Sequence, residues 1–447
     1  AAEPGLAADA ALQRQLADAL ARAPDPLAPR QLLVDVTNIA RNDLRTGIER
    51  VVRTELLELL RLDPATLQGL RVEPVYLVQE NGRWLCRYAR RYTAELLGLD
   101  PAQAPQLAHD PVADVAAGDL YYGADFAPAD VNGAAAGGLF ASWRARGVQV
   151  HFVLYDLLPV LNPEFFPAGA DVGHAQWLDT IAAEADRLVC ISAAVADQMA
   201  AWLARPERLA ALPAGRQAAP APLKLAALHL GADIAHADAA EAAPYPLLAQ
   251  FAARPSFLMV GTIEPRKGHL QALAAFEALW RAGVDVNLVI VGNEGWRPLP
   301  AHARRTIPLI VQRLTDHPEL NRRLFWLRGV GDAHLTQIYA ACDCLLAASE
   351  GEGFGLPLIE AALHRLPVLA RGLPVFREVA GAHAYYFDGL APQDLAEAVQ
   401  AWLALDAAGR APASSDMPWS TWGDHVRQLL RVLDGDGDTM ERTLHTR

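Results

Sequence analysis

The sequence predicts an α/β protein with parallel sheets. Short, continuously apolar runs alternate with helical patterns along most of the chain, and such alternation requires right-handed crossovers between parallel strands. Two of those runs end in loops rich in glycine and charge that open directly into a helical pattern, at the carboxyl ends of strands where open α/β sheets hold their ligands. An apolar content of 52% over 447 residues is sufficient for sizeable cores in two or three domains.

Residues 1–29 are Ala-rich, carry one expected helix from Ala8 to Ala21, and end in a Pro-rich link. Gln31 to Val36 reads as the first strand and Arg50 to Leu60 as the helix after it. Thr46 stands where it can cap that helix, next to Gly47. From Val75 to Tyr88, alternating apolar residues flank Asn81-Gly82, a strong signal for a two-residue hairpin turn. The second arm and its continuation carry Arg83, Trp84, Arg87, Tyr88, Arg90, Arg91 and Tyr92. This cluster is compatible with an anionic acceptor or lipid-phosphate headgroup, but reads first as a solvated face whose aromatic rings pack locally. Val148 to Leu154 is a buried strand that ends in Tyr155-Asp156, and Leu188 to Ser192 is another. The Ala- and Pro-rich stretch Arg205 to Pro222 reads as a surface excursion before His229-Leu230-Gly231-Ala232-Asp233.

The second half repeats the alternation more regularly. Strands are expected at Phe257–Val260, Asn287–Val291, Leu324–Leu327, Cys344–Ala347, Pro367–Ala370 and Tyr385–Phe387. Gly329-Val330-Gly331-Asp332 follows the third of these. Trp419 to Leu433 forms a terminal helix, and the Asp434-Gly435-Asp436-Gly437-Asp438 tail lacks the later glycine and distal Glu of a calcium loop, which leaves a solvated acidic tail.

The first of the two ligand-type loops is Ser349-Glu350-Gly351-Glu352-Gly353-Phe354-Gly355, which leads into a helix near Leu356 with Pro357 in its first turn. Free N–H groups and the positive end of the helix dipole favour an anion there, and Gly353 and Gly355 permit close approach to the backbone. Glu352 and Glu360 are suited to accept from sugar hydroxyls rather than to bind phosphate. On its own the loop is also compatible with a tight connection in which Glu360 complements the dipole. The second is Gly261-Thr262-Ile263-Glu264-Pro265-Arg266-Lys267-Gly268, where Arg266 can grip two phosphate oxygens and Lys267 adds a compact charge. A Lys/Arg pair in a loop is otherwise ordinary solvated surface.

Together the two segments resemble the retaining glycosyltransferases of family 4, which have the GT-B fold. Glu352 and Glu360 match that family's Glu-x7-Glu signature and Gly261 to Gly268 its basic strand-loop motif. The resemblance implies two Rossmann-like domains with parallel sheets facing a cleft, and a C-terminal helix that crosses back. It divides the chain into an extension (1–29), an acceptor domain (30–240), a donor domain (241–415) and a crossover helix with tail (416–447). It also implies that Arg266 and Lys267 neutralise the donor diphosphate, that Glu352 binds the transferred sugar and that Glu360 binds the nucleotide ribose. Val330, Gly353, Phe354, Gly355 and Leu356 then line the donor path, and Gly47 stands in the loop that relatives close over donor or acceptor, with one glycine here. Relatives carry His-Asp where this chain has Tyr155-Asp156, so Asp156 keeps its place beside the reacting centre while the His role lapses. Val375-Phe376-Arg377-Glu378-Val379 and the basic loop look most like bacterial mannosyl- and rhamnosyltransferases of surface polysaccharide assembly. GDP-mannose or a related deoxyhexose donor is therefore expected, with UDP-sugar transfer or nucleotide-sugar epimerisation as alternatives.

A net charge of −13 argues against nucleic acid and against a broad anionic membrane surface as partners. No apolar run reaches the roughly eighteen residues of a membrane span, and no secretory signal is visible at the start. Cys86, Cys190, Cys342 and Cys344 have no metal-like spacing and are too few for a disulfide scaffold, so a reducing cytoplasm is expected. No cofactor and no metal are expected beyond the nucleoside diphosphate sugar itself. The partners are then that donor and a saccharide acceptor, with peripheral contact at the inner face of the membrane if the acceptor is lipid-linked.

Overall fold

The computed structural model describes residues 29–42, 47–99, 107–206, 208, 223–232, 243–435 and 442–443. The helix expected at Ala8–Ala21, the Thr46 cap, nearly all of the Arg205–Pro222 excursion, the domain boundary expected at 240 and the acidic tail past Gly435 lie outside the described residues. The rest falls in two compact units, one within 1–49 and 60–151, the other within 50–59 and 152–447.

In the first unit, β1 (Gln31–Asp35) runs parallel to β2 (Arg71–Glu80) and to β4 (Leu120–Gly123), and β2 turns back antiparallel into β3 (Arg83–Tyr88). The turn is the expected Asn81-Gly82, with φ of 49° and 76°, the two positive values a twisted two-residue hairpin requires. β2 begins at Arg71, four residues before the expected Val75. Pro74 is tolerated because it lies beyond the end of the β2–β3 ladder, where its carbonyl accepts from Ala89 N and its missing N–H is not called on. The basic arm proves to be mostly self-neutralised. Arg87 pairs with Glu80 (2.7 Å), Arg90 with Glu73 (3.1 Å) and Arg91 with Asp110 (2.9 Å). Trp84 covers the helix Pro128–Ala136, so closely that a Cβ on Gly133 would stand 2.2 Å from its ring. The aromatic part of the cluster is therefore local packing.

β5 (Gln149–Leu154) leads into the second unit, where β6 (Arg187–Cys190) runs parallel to β7 (Lys224–Ala227). The second sheet has six strands, all parallel: β8 (Ser256–Val260), β9 (Asn287–Val291), β10 (Leu324–Leu327), β11 (Cys344–Ala347), β12 (Val368–Arg371) and β13 (Tyr385–Phe387). Their order is β10-β9-β8-β11-β12-β13, so the winding reverses between β8 and β11. A doubly wound sheet opens a crevice at that switch point, and the two strands beside it are the ones that end in the ligand-type loops. The core beneath is aromatic, with Phe257 edge-on to Phe276 (5.6 Å) and to Trp402 (5.3 Å). β12 starts one residue later than expected, after Pro367. The two Rossmann-like halves give the chain the GT-B fold anticipated from its motifs.

Three helices bear on the site. α1 (Gly47–Arg61) begins at Gly47, three residues before the expected Arg50, and its segment Arg50–Leu59 belongs to the second unit. α2 (Leu356–Leu363) follows the glycine-rich loop. α3 (Trp422–Asp434) starts at Trp422 rather than Trp419, because the Thr421 hydroxyl accepts from Asp424 N (3.0 Å) and fixes the first turn. His425 on α3 contacts Glu55 on α1 (2.7 Å) and the backbone oxygen of His229 (2.7 Å). All four cysteines are buried free thiols, and burial raises the Cys190, Cys342 and Cys344 pKa values.

Candidate active site

The loops after β8 and β11 form one structure. Pro265–Lys267 makes a single tight turn closed by Gly268, whose φ is +74° and whose missing side chain leaves room for the Ala348 carbonyl. A Cβ there would stand 2.3 Å from that oxygen. The Glu350 N–H then donates to the Arg266 carbonyl (2.7 Å), which ties the second loop to the first.

The charged side chains converge accordingly. Arg266 Nη1 lies 2.7 Å from Glu352 Oε2, and Lys267 Nζ lies 2.5 Å from Glu352 Oε1, which also accepts from the Ser349 hydroxyl (2.8 Å). Arg266 further reaches Glu264 (3.0 Å) and the Gly351 carbonyl (3.1 Å). All three side chains are largely buried. Burial alone would raise the Glu352 pKa, but Arg266 and then Lys267 outweigh it and hold the carboxyl at about 2. Burial likewise opposes the Arg266 charge, and Glu352, Glu264 and Asp156 more than restore it, so its pKa is raised. Lys267 stands against Gly261, at the end of β8, and shares a small cavity of about 20 Å³ with Ser349, Gly355 and Pro357, at the amino end of α2. Lys267, Glu352 and the helix terminus therefore face the same cavity, and Arg266 reaches it through Glu352.

Asp156 is held there too. Its Oδ1 accepts from Leu158 N (2.9 Å), and its charge acts on Arg266. Gly353 passes so close to the preceding residue that a Cβ would stand 2.2 Å from the Tyr155 carbonyl, which is the physical reason for glycine at that position. Ser192 donates to the Gly353 carbonyl (2.9 Å) while it caps the helix Ala193–Leu203. Phe354 is buried and lies edge-on to the His229 ring (5.2 Å). His229 in turn meets Glu378 (2.6 Å), which accepts from the N–H groups of Ala193 and Ala194 (2.7 and 2.8 Å).

Glu360, buried in the first turns of α2, accepts from Tyr339 (2.8 Å) on one oxygen and from Arg50 (2.9 Å) on the other. Val330 stands two residues before Asp332, whose carboxylate raises the Arg50 pKa together with Glu360 and against burial. Gly47 is the first residue of α1, three positions ahead of Arg50.

Sequence reasoning named Glu352, Glu360, Arg266, Lys267 and Asp156, and the fold brings Glu352, Arg266, Lys267 and Asp156 together. It passed over Tyr339, and it named Arg50, Ser192, His229 and Glu378 only within longer segments, with no site role. Their partners lie at remote sequence positions, and no local spacing signals them. Arg371 was also unread. It is buried beneath the glycine-rich loop, where it donates to the Ala348 and Ser349 carbonyls (3.1 and 3.0 Å) and holds the entrance to that loop.

A switch-point crevice with an anion-ready helix terminus and a basic pair suits a phosphate-bearing ligand. Residues 249–413 match the model for Glycosyl transferases group 1. Over 424 residues, 94% of its length, it is 41% identical to a serotype-specific mannosyltransferase, WbdA, of Escherichia coli. The match covers 48% of that relative, so the chain spans about half the length of the curated relatives it matches most fully. Among solved structures, Anabaena HepE in complex with UDP and glucose superposes with a TM-score of 0.56 at 16% identity, covering 91% of this chain and 99% of that one. The N-terminal domain of Candida albicans trehalose-6-phosphate phosphatase gives 0.59 at 13% identity, covering 92% and 97%. At such identities the likeness establishes the fold alone.

Proposed function

We propose that this chain transfers a hexose, mannose in the first instance, from a nucleoside diphosphate sugar to a saccharide or lipid-linked saccharide acceptor in surface polysaccharide assembly. The observation that carries this reading is the convergence of Arg266 and Lys267 on Glu352 at the amino end of α2. Similarity to a serotype-specific mannosyltransferase and to an O-antigen chain mannosyltransferase supports mannose as the transferred sugar.

Cleavage of the anomeric bond leaves negative charge on the diphosphate while the sugar becomes oxocarbenium-like. Arg266, Lys267 and the N–H groups opening α2 are fixed before the reaction and stabilise that leaving group without reorganisation, commonly the largest catalytic term. Without donor, Glu352 pairs with both cations. The diphosphate takes over the two cations on binding, and the carboxylate turns to accept from hydroxyls of the transferred sugar. Held at about pKa 2, Glu352 is ionised at neutral pH and serves as an acceptor, not as a proton donor. Asp156 orients the sugar from the other side, and Glu360 receives the ribose. Departure and attack on one face, with retention, follow from the family resemblance. The chemistry is metal-independent in this reading.

A thermal-shift panel of GDP, UDP and ADP tests the donor class, since a ligand that binds the folded state raises the melting temperature by mass action. GDP raises it most in this account. Incubation of GDP-mannose with and without a mannosaccharide acceptor, in EDTA, then yields product with acceptor alone. Conversion of the nucleotide sugar without acceptor identifies an epimerase instead.

A further inference from the structure

We propose that Arg50 and Tyr339 are positioning residues for Glu360, which set its carboxylate to receive the ribose of the donor. The inference rests on the ribose role proposed for Glu360 and adds two residues to it. Glu360 is 9% exposed, and each of its oxygens has one fixed donor, Arg50 Nη1 on Oε1 (2.9 Å) and the Tyr339 hydroxyl on Oε2 (2.8 Å). An ionised carboxylate offers about four lone-pair sites, so two remain, the number a ribose diol requires.

The two partners are themselves held differently. Tyr339 is buried and stacks on the His364 ring at 5.0 Å and 13°, so its hydroxyl has little freedom. Arg50 is 43% exposed, and an ion pair with one such partner adds little to stability. Its geometric effect is larger. Without it, a carboxylate on the first turns of α2 keeps one neutral donor and rotates about its last torsion. Arg50 also reaches Glu360 from α1, three residues after Gly47, so the helix behind the expected donor-covering loop is anchored to the ribose carboxylate.

The test uses the full chain with two probes, GDP and 2′,3′-dideoxy-GDP, or the uridine pair if the thermal-shift panel selects UDP. The wild type is expected to prefer the ribonucleotide about ten-fold, the worth of hydrogen bonds to a charged group. Glu360→Gln removes most of that preference. Arg50→Gln and Tyr339→Phe each lower it several-fold, and Arg50→Lys recovers part of it. In turnover, Arg50→Gln raises the donor KM about in proportion and leaves kcat within about two-fold, a split that general loss of structure does not produce. Full preference in both Arg50→Gln and Tyr339→Phe, beside its loss in Glu360→Gln, overturns the positioning role and leaves the ribose role standing. Tighter binding of both probes by Arg50→Gln marks Arg50 as a competitor of the donor and also overturns it. No preference in the wild type removes the ribose role, and this inference falls with it.

Discussion

Two buried carboxyl groups at the carboxyl ends of strands meet opposite fates in this protein. Glu352 follows β11, is surrounded by Arg266, Lys267 and the Ser349 hydroxyl, and is held at about pKa 2. Asp35 ends β1 and accepts from neutral donors, the Thr37 N–H and hydroxyl and the Tyr121 hydroxyl (2.5 Å). Burial, then the charge of Asp125, raises Asp35 to about 7, and burial raises Asp125 itself to about 6. The first site gathers two cations, Arg266 and Lys267, on one carboxylate, with Glu264 and Asp156 also acting on Arg266. The second is a structural hydrogen-bond centre that joins β1 to its neighbours and places the turn at Asn38 and Ile39, whose N–H groups donate to Asp125 (2.6 and 2.7 Å).

The largest effect that separates the two regions is expected at the cations. Lys267→Met lowers kcat about 10²- to 10³-fold, the scale for loss of one preorganised charge donor in the transition state. Circular dichroism and melting checks show the fold retained. A loss below ten-fold breaks the contrast, because the pair would then be structural.

Asp35 gives a smaller effect of a different kind, on stability and not on turnover. Its folded pKa is raised, so the unfolded chain releases a proton first as pH rises, and stability falls between about pH 4 and 7 before it levels off. Asp35→Asn removes the share of that decline due to Asp35 and leaves the share of Asp125, which is raised to about 6. Denaturant titrations at pH 5 and pH 7 should show the variant gaining roughly 2 kcal/mol on the wild type between the two, with turnover at pH 7 within about two-fold. The same pH profile for both proteins would remove the structural assignment. Glu352 runs the other way. Its depressed pKa contributes stability that is complete above about pH 4.5 and is lost as pH falls towards 2.

The contrast also marks what could be read from the chain alone. The βα alternation, the Asn81-Gly82 hairpin and the two ligand loops are local patterns, and each is where the sequence places it. The convergence of Arg266 and Lys267 on Glu352 was legible because both loops follow strands at a switch point, and topology brings such loops together. Arg50 was not legible, since it looks like any solvated first-turn arginine and its partner Glu360 is remote in sequence. Nothing local distinguishes the paired arginines at 87, 90 and 91 from a basic binding face either. Glu80, Glu73 and Asp110 neutralise them through strand register and loop path, which composition does not reveal. Asp35 has no local signal either, because its Tyr121 partner comes from β4.

The central claim is that Glu352 occupies, in this structure, the position that the donor diphosphate takes on binding. Isothermal titration of GDP into wild type and Glu352→Gln at neutral pH addresses it most directly. The account predicts that the variant binds GDP about ten-fold more tightly, since two cations lose their internal competitor, while transfer from the sugar donor is lost. Weaker or unchanged GDP binding by Glu352→Gln would contradict it.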